Sequence, residues 1–546
     1  MEEKPSFREL VKAAIIEGLE VVRDFEARNK NIKTYEDYPE MVYRDDGFPF
    51  FWKKREQPRD YTTIFNDHRS HEEEEARKAE GQNSLFGRFQ FQIGPPSIPS
   101  DQLPSWRAYL NYVLNNPRLN NYWNPTEMLE LADSLGTENI LAELIRRSSV
   151  KRGVFEPLRQ LLNRYIHISG KREFDEVLFD QVSIEWARAS TAEKLYFDIY
   201  VPILFHTFDF DSCPINDSAS IERMDDSLQL ARNTRYPSRS RPSTDMLRAA
   251  THALALKIWT IENKTREERQ QVLNSASAFS GVIERIDKFF AALRSITDIE
   301  VGYGQLVIQP DGWADSWYAD LAPVYVIAVK SYPEHFNERW WFEKPEPIAE
   351  SDCLKVGDLF TRLLDVKNNK LDLAVRRLNN ASLRAEEEDS ILDIAIGLEV
   401  LLVTDKTEVT HKLATRLATL SRIRPYDDAT PHDVYRYCKS VYQYRSDIAH
   451  GNSEKNVQKS RVIKLKEEEA IPTVTLGIKL LSYAIQVLSA HPQYLRNPEE
   501  LDKLMLNGGD MIQAAGTDLE VEDKTSGTLT AGDLVEANDE SKKLKK

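Results

Sequence analysis

Ile391-Leu-Asp-Ile-Ala-Ile-Gly-Leu-Glu-Val-Leu-Leu-Val403 is apolar on nearly every side of a helical wheel. A helix of that composition needs neighbours around most of its circumference, so it predicts the buried centre of a helical bundle rather than a surface flank. Asp389 stands where an N-cap would open it. Helical spacing also runs through its neighbours. Leu373, Val375, Leu378 and Ala381 mark a helix before it, and Val409 to Ile423 gives one after it. Pro425 and the Asp427-Asp428 turn stop that third helix, Pro431 to Ala449 reads as a fourth, and about Pro472 to Leu488 as a last.

One carboxylate interrupts the central helix. On the wheel Glu399 lies with Leu392, Ala395, Ile396, Leu402 and Val403. An unpaired charge there costs several kcal/mol, so a cation or a proton is required. Arg445 is the expected partner, because a guanidinium grips a carboxylate in bidentate fashion. Arg445 belongs to the stretch Tyr442-Gln-Tyr-Arg-Ser-Asp-Ile-Ala-His-Gly451, in which Gly451 is a natural helix stop. The stretch delivers a guanidinium and an imidazole, Arg445 and His450, to one helix end. Positions five apart point roughly 140° away from each other on an ideal helix. The two converge only if the last turn loosens or a second copy of the chain completes the site.

Upstream, Pro5 to about Ala27 spaces Leu10, Ala14, Ile15, Leu19, Val22 and Phe25 as an amphipathic helix. Tyr35 to about Pro104 breaks into aromatic and Pro-rich pieces, and Ser105 to about Ile168 reads helical again. From Leu195 the period changes. Tyr196 to Phe210, Ser220 to Met224, Thr251 to Trp259 and Val301 to Ile308 read as strands, and Val282, Ile286, Phe289, Phe290 and Leu293 as one helical face. Gly302 and Gly304 lack the third glycine and following helix of a phosphate loop and read as a bulged strand. The expected fold is α+β and multidomain, mainly α. Residues 1–190 form a mostly helical region of unknown role, 191–350 a small mixed α/β module, 351–500 a helical bundle and 501–546 a disordered acidic tail.

The formal net charge of −16 argues against a broad electrostatic grip on nucleic acid, so any such contact must come from a local patch. Much of the acid sits in Glu72–Glu75, Glu386–Glu388 and the tail after Asp510. Cys213, Cys353 and Cys438 form no CxxC pair and read as buried, inert hydrophobes. His68 and His71, followed by four glutamates, read as a solvated helix face rather than metal ligands. No apolar run reads as long enough to span a bilayer, and the first residues have no signal-peptide layout, so a cytoplasmic protein is expected.

About Ala374 to Leu488 resembles the Apea-like branch of the HEPN superfamily. The resemblance is carried by Ala374-Val-Arg-Arg-Leu-Asn, Asp389 to Leu402, Lys412-Leu-Ala-Thr-Arg-Leu-Ala and Tyr444-Arg-Ser-Asp-Ile-Ala-His-Gly451. It implies a four- to five-helix bundle that dimerises around an Arg-x4–6-His motif. The activity it implies is metal-independent endoribonuclease action, in anti-phage defence or a toxin system. Arg445 and His450 match the motif and Glu399 the acidic position on the preceding helix. Ser446 stands where active members often carry Asn, Asp or His. Transesterification by the RNA 2′-OH suits these residue types: an imidazole moves the proton and a guanidinium stabilises the phosphate charge. Lys412, Arg416, Lys439 and Lys455, with Lys459 and Arg461, would hold the RNA. No cofactor and no metal site is expected. The partners implied are single-stranded RNA and a second copy of the chain. The alternative is a non-catalytic bundle used for dimerisation or interaction.

Overall fold

The computed structural model describes residues 5–28, 37–56, 65–66, 98–123, 140–235, 244–330, 346–405, 407–451, 454–466 and 469–507. His68, His71, Glu72–Glu75 and the stretch after 507 lie outside these residues. The described chain is α+β and mainly α.

The N-terminal part packs α1 (Phe7–Arg28) against α2 (Pro104–Asn115), α3 (Pro117–Trp123), α4 (Ile140–Ser169) and α5 (Glu176–Thr191). The heptad-like spacing does the work expected of it: Leu10, Val11, Ala14, Ile15, Leu19, Val22 and Phe25 are all buried. Trp106 buries its ring against α1 and donates its indole N–H to the Ala14 carbonyl at 2.8 Å. A hairpin, β1 (Asp37–Tyr43) and β2 (Pro49–Glu56), occupies part of the stretch that reads as irregular in sequence.

After α5 comes a six-stranded antiparallel sheet in the order β8-β7-β3-β6-β5-β4. Its strands are β3 (Lys194–Pro202), β4 (Ser212–Asn216), β5 (Ala219–Arg223), β6 (His252–Glu262), β7 (Gln305–Pro310) and β8 (Tyr325–Ala328). The strands β4 and β8 are only five and four residues long, too short for their pattern to be legible in sequence. Gly302 lies in an isolated bridge with Leu204 and Gly304 accepts from Val329, so the two glycines are backbone pairing sites at the mouth of β7. On one side of the sheet lie α6 (Asp226–Arg235) and α7 (Thr244–Arg248), with Leu228, Met246, Val307 and Val324 between them. A buried ion cluster joins sheet and N-terminal helices. Asp315 takes Arg266, at 2.9 Å, and Arg269, and accepts from Tyr325 at 2.8 Å; Arg269, on α8 (Arg266–Leu273), also reaches Tyr122 of α3.

On the other face of the sheet, α9 (Ser280–Thr297) and α10 (Glu350–Asp365) bury Val282, Phe289 and Phe360 against Phe197, Ile199 and Val201. At Gly357 an added Cβ would stand 2.6 Å from the Ile215 carbonyl, so the helix reaches the sheet only because that side chain is missing. The same core runs on without a break into α11 (Asn369–Ala381), α12 (Glu387–Leu402), α13 (Val409–Ile423), α14 (Pro431–Ala449) and α16 (Thr473–Ala490). Between α14 and α16 the chain forms α15 (Glu454–Ser460) and a second hairpin, β9 (Val462–Lys466) and β10 (Glu469–Pro472). Two short helices, α17 (Pro492–Arg496) and α18 (Glu499–Leu506), follow α16.

Three sequence expectations are corrected here. Helix α12 starts at Glu387 with Glu386 as N-cap, so Asp389 lies inside the first turn and does not cap. Helix α16 is long and apolar enough to cross a membrane by length and composition, contrary to the reading of the sequence. Leu476, Leu480, Leu481, Ala484 and Leu488 are buried in the bundle, so α16 meets that criterion as a core helix. Helix α12 is not closed on all sides: Ile396 remains 37% exposed, and Leu392, Glu399 and Val400 are half-buried. All three cysteines are free and buried, and burial pushes the Cys353 thiol up to about 12.

Candidate active site at the end of the fourth bundle helix

Thr430 and Asp433 form a reciprocal capping box at the start of α14, with Pro431 in the first turn. At the other end the ladder holds to the last residue. The His450 N–H still bonds the Ser446 carbonyl at 3.1 Å, and Gly451 adopts φ +61, the left-handed conformation that ends a helix cheaply only for glycine. The last turn therefore does not loosen, and Arg445 and His450 leave the helix roughly 140° apart.

Arg445 follows the buried stripe of Val434, Cys438 and Val441 and is half-buried. Its Cζ lies 5.5 Å from the centroid of the Tyr442 ring. Its Nε is enclosed without a hydrogen-bond partner, and among the described residues the guanidinium joins no ion pair. The expected Glu399–Arg445 clamp is thus absent. Glu399 accepts instead from the Tyr442 hydroxyl at 2.5 Å. Burial and then Glu399 push the Tyr442 phenol up to about 12, so it stays a donor at neutral pH.

The acid that does sit at the heart of α12 is Asp393, with its side chain 4% exposed. Arg377 reaches it at 2.6 Å and Arg384 at 2.9 Å. The rule that a buried carboxylate needs a guanidinium holds, but at Asp393 rather than Glu399. A wheel of α12 alone misses this, because it shows which face is apolar and not which neighbour covers it.

On the opposite side of α14, Asp447 is buried and accepts from Gln443 at 2.8 Å and from Ser460 at 2.8 Å. The Ser460 carbonyl in turn accepts from Thr473 at 2.6 Å. These bonds tie α15 and the start of α16 back onto the end of α14. The exposed imidazole of His450 stands at the C-cap on that side. Tyr444 packs its ring inward and donates to Glu387 at 3.2 Å, and Glu387 also holds both arms of Arg461, at 2.9 and 2.8 Å.

The expected RNA-binding residues separate. Arg416 is buried, with Asp502 at 2.9 and 2.7 Å and the Leu402 carbonyl at 2.6 Å, so it locks α18 and the end of α12 together and faces no solvent. This corrects its assignment as a phosphate contact. Lys412 is held by both oxygens of Asp405, at 2.8 and 2.7 Å. Lys439 is exposed over the Tyr435 ring, and Lys455 and Lys459 are exposed on α15. Sequence reasoning missed Tyr442, Asp447 and Arg436. The spacing of Arg436, Ser440, Gln443, Asp447 and His450 along one helix face is the signal that was there to be read. Among the described residues no group of three His, Cys, Asp or Glu side chains could hold a metal ion.

No family model, curated protein or solved structure matches the chain.

Proposed function

We propose that the C-terminal bundle is a HEPN-type, metal-independent endoribonuclease that acts on single-stranded RNA as a homodimer. In this reading Arg445 binds the scissile phosphate and stabilises the charge that develops on it. His450 takes the proton of the 2′-OH. The 2′-oxygen then bonds to phosphorus, the bond to the 5′-oxygen breaks, and that oxygen leaves with the proton that His450 gives back. A 2′,3′-cyclic phosphate remains. The single observation that carries the reading is the free guanidinium. Tyr442, not Arg445, serves Glu399, and among the described residues Arg445 has no acidic partner, so its terminal nitrogens are left for an anion from outside. Glu399 acts through Tyr442, which lies under the guanidinium, and is a positioning residue.

The regular helix end keeps Arg445 and His450 on separate faces, so each site takes one of them from each copy. The half-exposed edge of α12, with Ile396 at 37%, gives the second copy an apolar surface. That same edge supports the second reading, a non-catalytic interaction surface. The proposed setting is intracellular defence or a toxin system.

The purified chain should cleave single-stranded RNA in EDTA and leave cyclic phosphate ends. Arg445→Ala and His450→Ala should each abolish cleavage with the melting temperature unchanged. Mixing the two inactive variants should restore part of the activity, because some mixed dimers carry one intact site. Restoration absent, with both variants stable and dimeric, would reject the shared site. Cleavage by His450→Ala at the parent rate would reject the nuclease reading.

A further inference from the structure

Beside the middle of α14 a groove of about 290 Å³ opens between that helix, the end of α15 and the hairpin strand β9. Its lining includes three cations, Arg436, Lys459 and Lys464, and the polar side chains of Ser440, Gln443 and Ser460. Arg436 is steadied by the Leu465 carbonyl at 3.3 Å and by Asp433 at 3.4 Å. Among the described residues neither Lys459 nor Lys464 has an acidic partner. Asp447, one turn beyond Gln443 and outside the lining, is already engaged by Gln443 and Ser460. The nearby Glu387 is held by Arg461. In a chain with a formal net charge of −16, a groove lined by three cations and no acid is a local reversal of sign.

Position adds a direction. Arg436, Ser440, Gln443, Asp447 and His450 follow one another at steps of three and four residues, so they share one face of α14. The groove takes Arg436 to Gln443 of that face and the exposed imidazole ends it, roughly 10 Å beyond Gln443 along the axis. Arg445 lies on the other side of the helix. A polyanion lying in the groove would run toward His450 of the same copy.

We infer that this groove binds the sugar–phosphate backbone of single-stranded RNA and leads the strand to His450. The inference rests on the ribonuclease reading above and adds the site that feeds it. The ammonium groups of Lys459 and Lys464 and the guanidinium of Arg436 neutralise successive phosphates, while Ser440 and Gln443 offer hydrogen bonds to the sugar–phosphate chain. Exposed Val462 at the rim gives the bases an apolar wall.

The test measures binding of a labelled, 2′-O-methylated single-stranded oligoribonucleotide, which resists cleavage, by fluorescence anisotropy over a range of salt. The full chain is compared with Arg436→Ala/Lys459→Ala/Lys464→Ala and with Lys459→Gln/Lys464→Gln, which leaves the structural contacts of Arg436 in place. The triple variant should bind at least about tenfold more weakly at low salt, and its plot of log affinity against log salt should flatten by about 2. The double variant should flatten by about 1.4, with the melting temperature of the parent. Parent-like affinity and slope in a folded double variant would overturn the groove while leaving the nuclease reading intact. Binding that depends on the groove, by a parent that cuts no unmodified RNA, would keep the groove and remove the nuclease. A parent that binds no RNA, or binds a duplex of the same sequence equally well, overturns the inference.

Discussion

Tyr442 donates its hydroxyl to Glu399 at 2.5 Å and thereby frees Arg445 of the task of neutralising that helix. A phenol solves the problem more cheaply than a guanidinium here. Glu399 is only half-buried, so one good donor and residual solvent suffice to satisfy it. The fully buried Asp393, by contrast, takes two arginines.

Tyr442→Phe should therefore cost about 1 kcal/mol, the usual contribution of one side-chain hydrogen bond, read from the denaturant midpoint. Glu399→Gln, which keeps an acceptor for the phenol, should cost less. Equal losses in both variants would mean that the contact contributes through packing and not through its charge.

Arg416 and Lys412 stand four residues apart on α13 and should behave in opposite ways. Arg416→Ala leaves the Leu402 carbonyl and Asp502 without their donor and should destabilise by about 3 kcal/mol. Lys412→Ala breaks a pair whose acid is exposed and should leave the unfolding midpoint close to that of the parent. Thermal or chemical unfolding of the two variants decides this, and a mild Arg416→Ala would return that residue to the RNA-binding set.

His252 lies buried in β6, with Nε2 at 2.6 Å from the Phe210 carbonyl and Nδ1 at 2.8 Å from Thr251 Oγ1. Burial lowers its pKa to about 4. The unfolded chain takes up that proton near pH 6.5 and the folded one only near 4, so the contribution to stability is present above about pH 6.5 and is lost as pH falls toward 4. Urea titrations at stepped pH should show the loss in the parent. His252→Gln should flatten that part of the profile, and an unchanged slope would place the buried proton uptake elsewhere.

Ile258 carries φ +61 in β6 while 71% exposed. A β-branched residue is strained there, and the register shifts opposite it between Phe197 and Ile199. Asp198 accepts from its N–H at 3.0 Å and holds the bulge. Ile258→Asn should stabilise by about 1 kcal/mol, since asparagine enters the left-handed region readily and little apolar burial is lost. A lower unfolding midpoint in that variant would show that the exposed isoleucine contributes more than its strain removes.

Periodicity carried the bundle. The limits of α13 and α14 read from spacing, Pro425, Pro431 and Gly451 are those found in the structure, because caps and breakers act through neighbours in the chain. The first helix and the longer strands were legible as elements but not in their limits: the strand read as Tyr196 to Phe210 ends at Pro202, and the one read from Val301 starts at Gln305. The short strands β4 and β8 and the hairpin β9–β10 escaped, since their pairing is decided by partners distant in sequence or by a turn between charged residues. Arg445 and His450 were likewise legible as a pair at a helix end, together with the angle that separates them.

What the chain alone settled is where helices begin and end, which faces are apolar, and that a guanidinium and an imidazole share one terminus. Which acid each cation meets was settled only by tertiary packing. Arg416 went to Asp502 and Arg377 to Asp393, leaving Arg445 over Tyr442. A helical wheel records direction around one axis, whereas an ion pair depends on the distance between two axes, and that distance exists only once the bundle has closed.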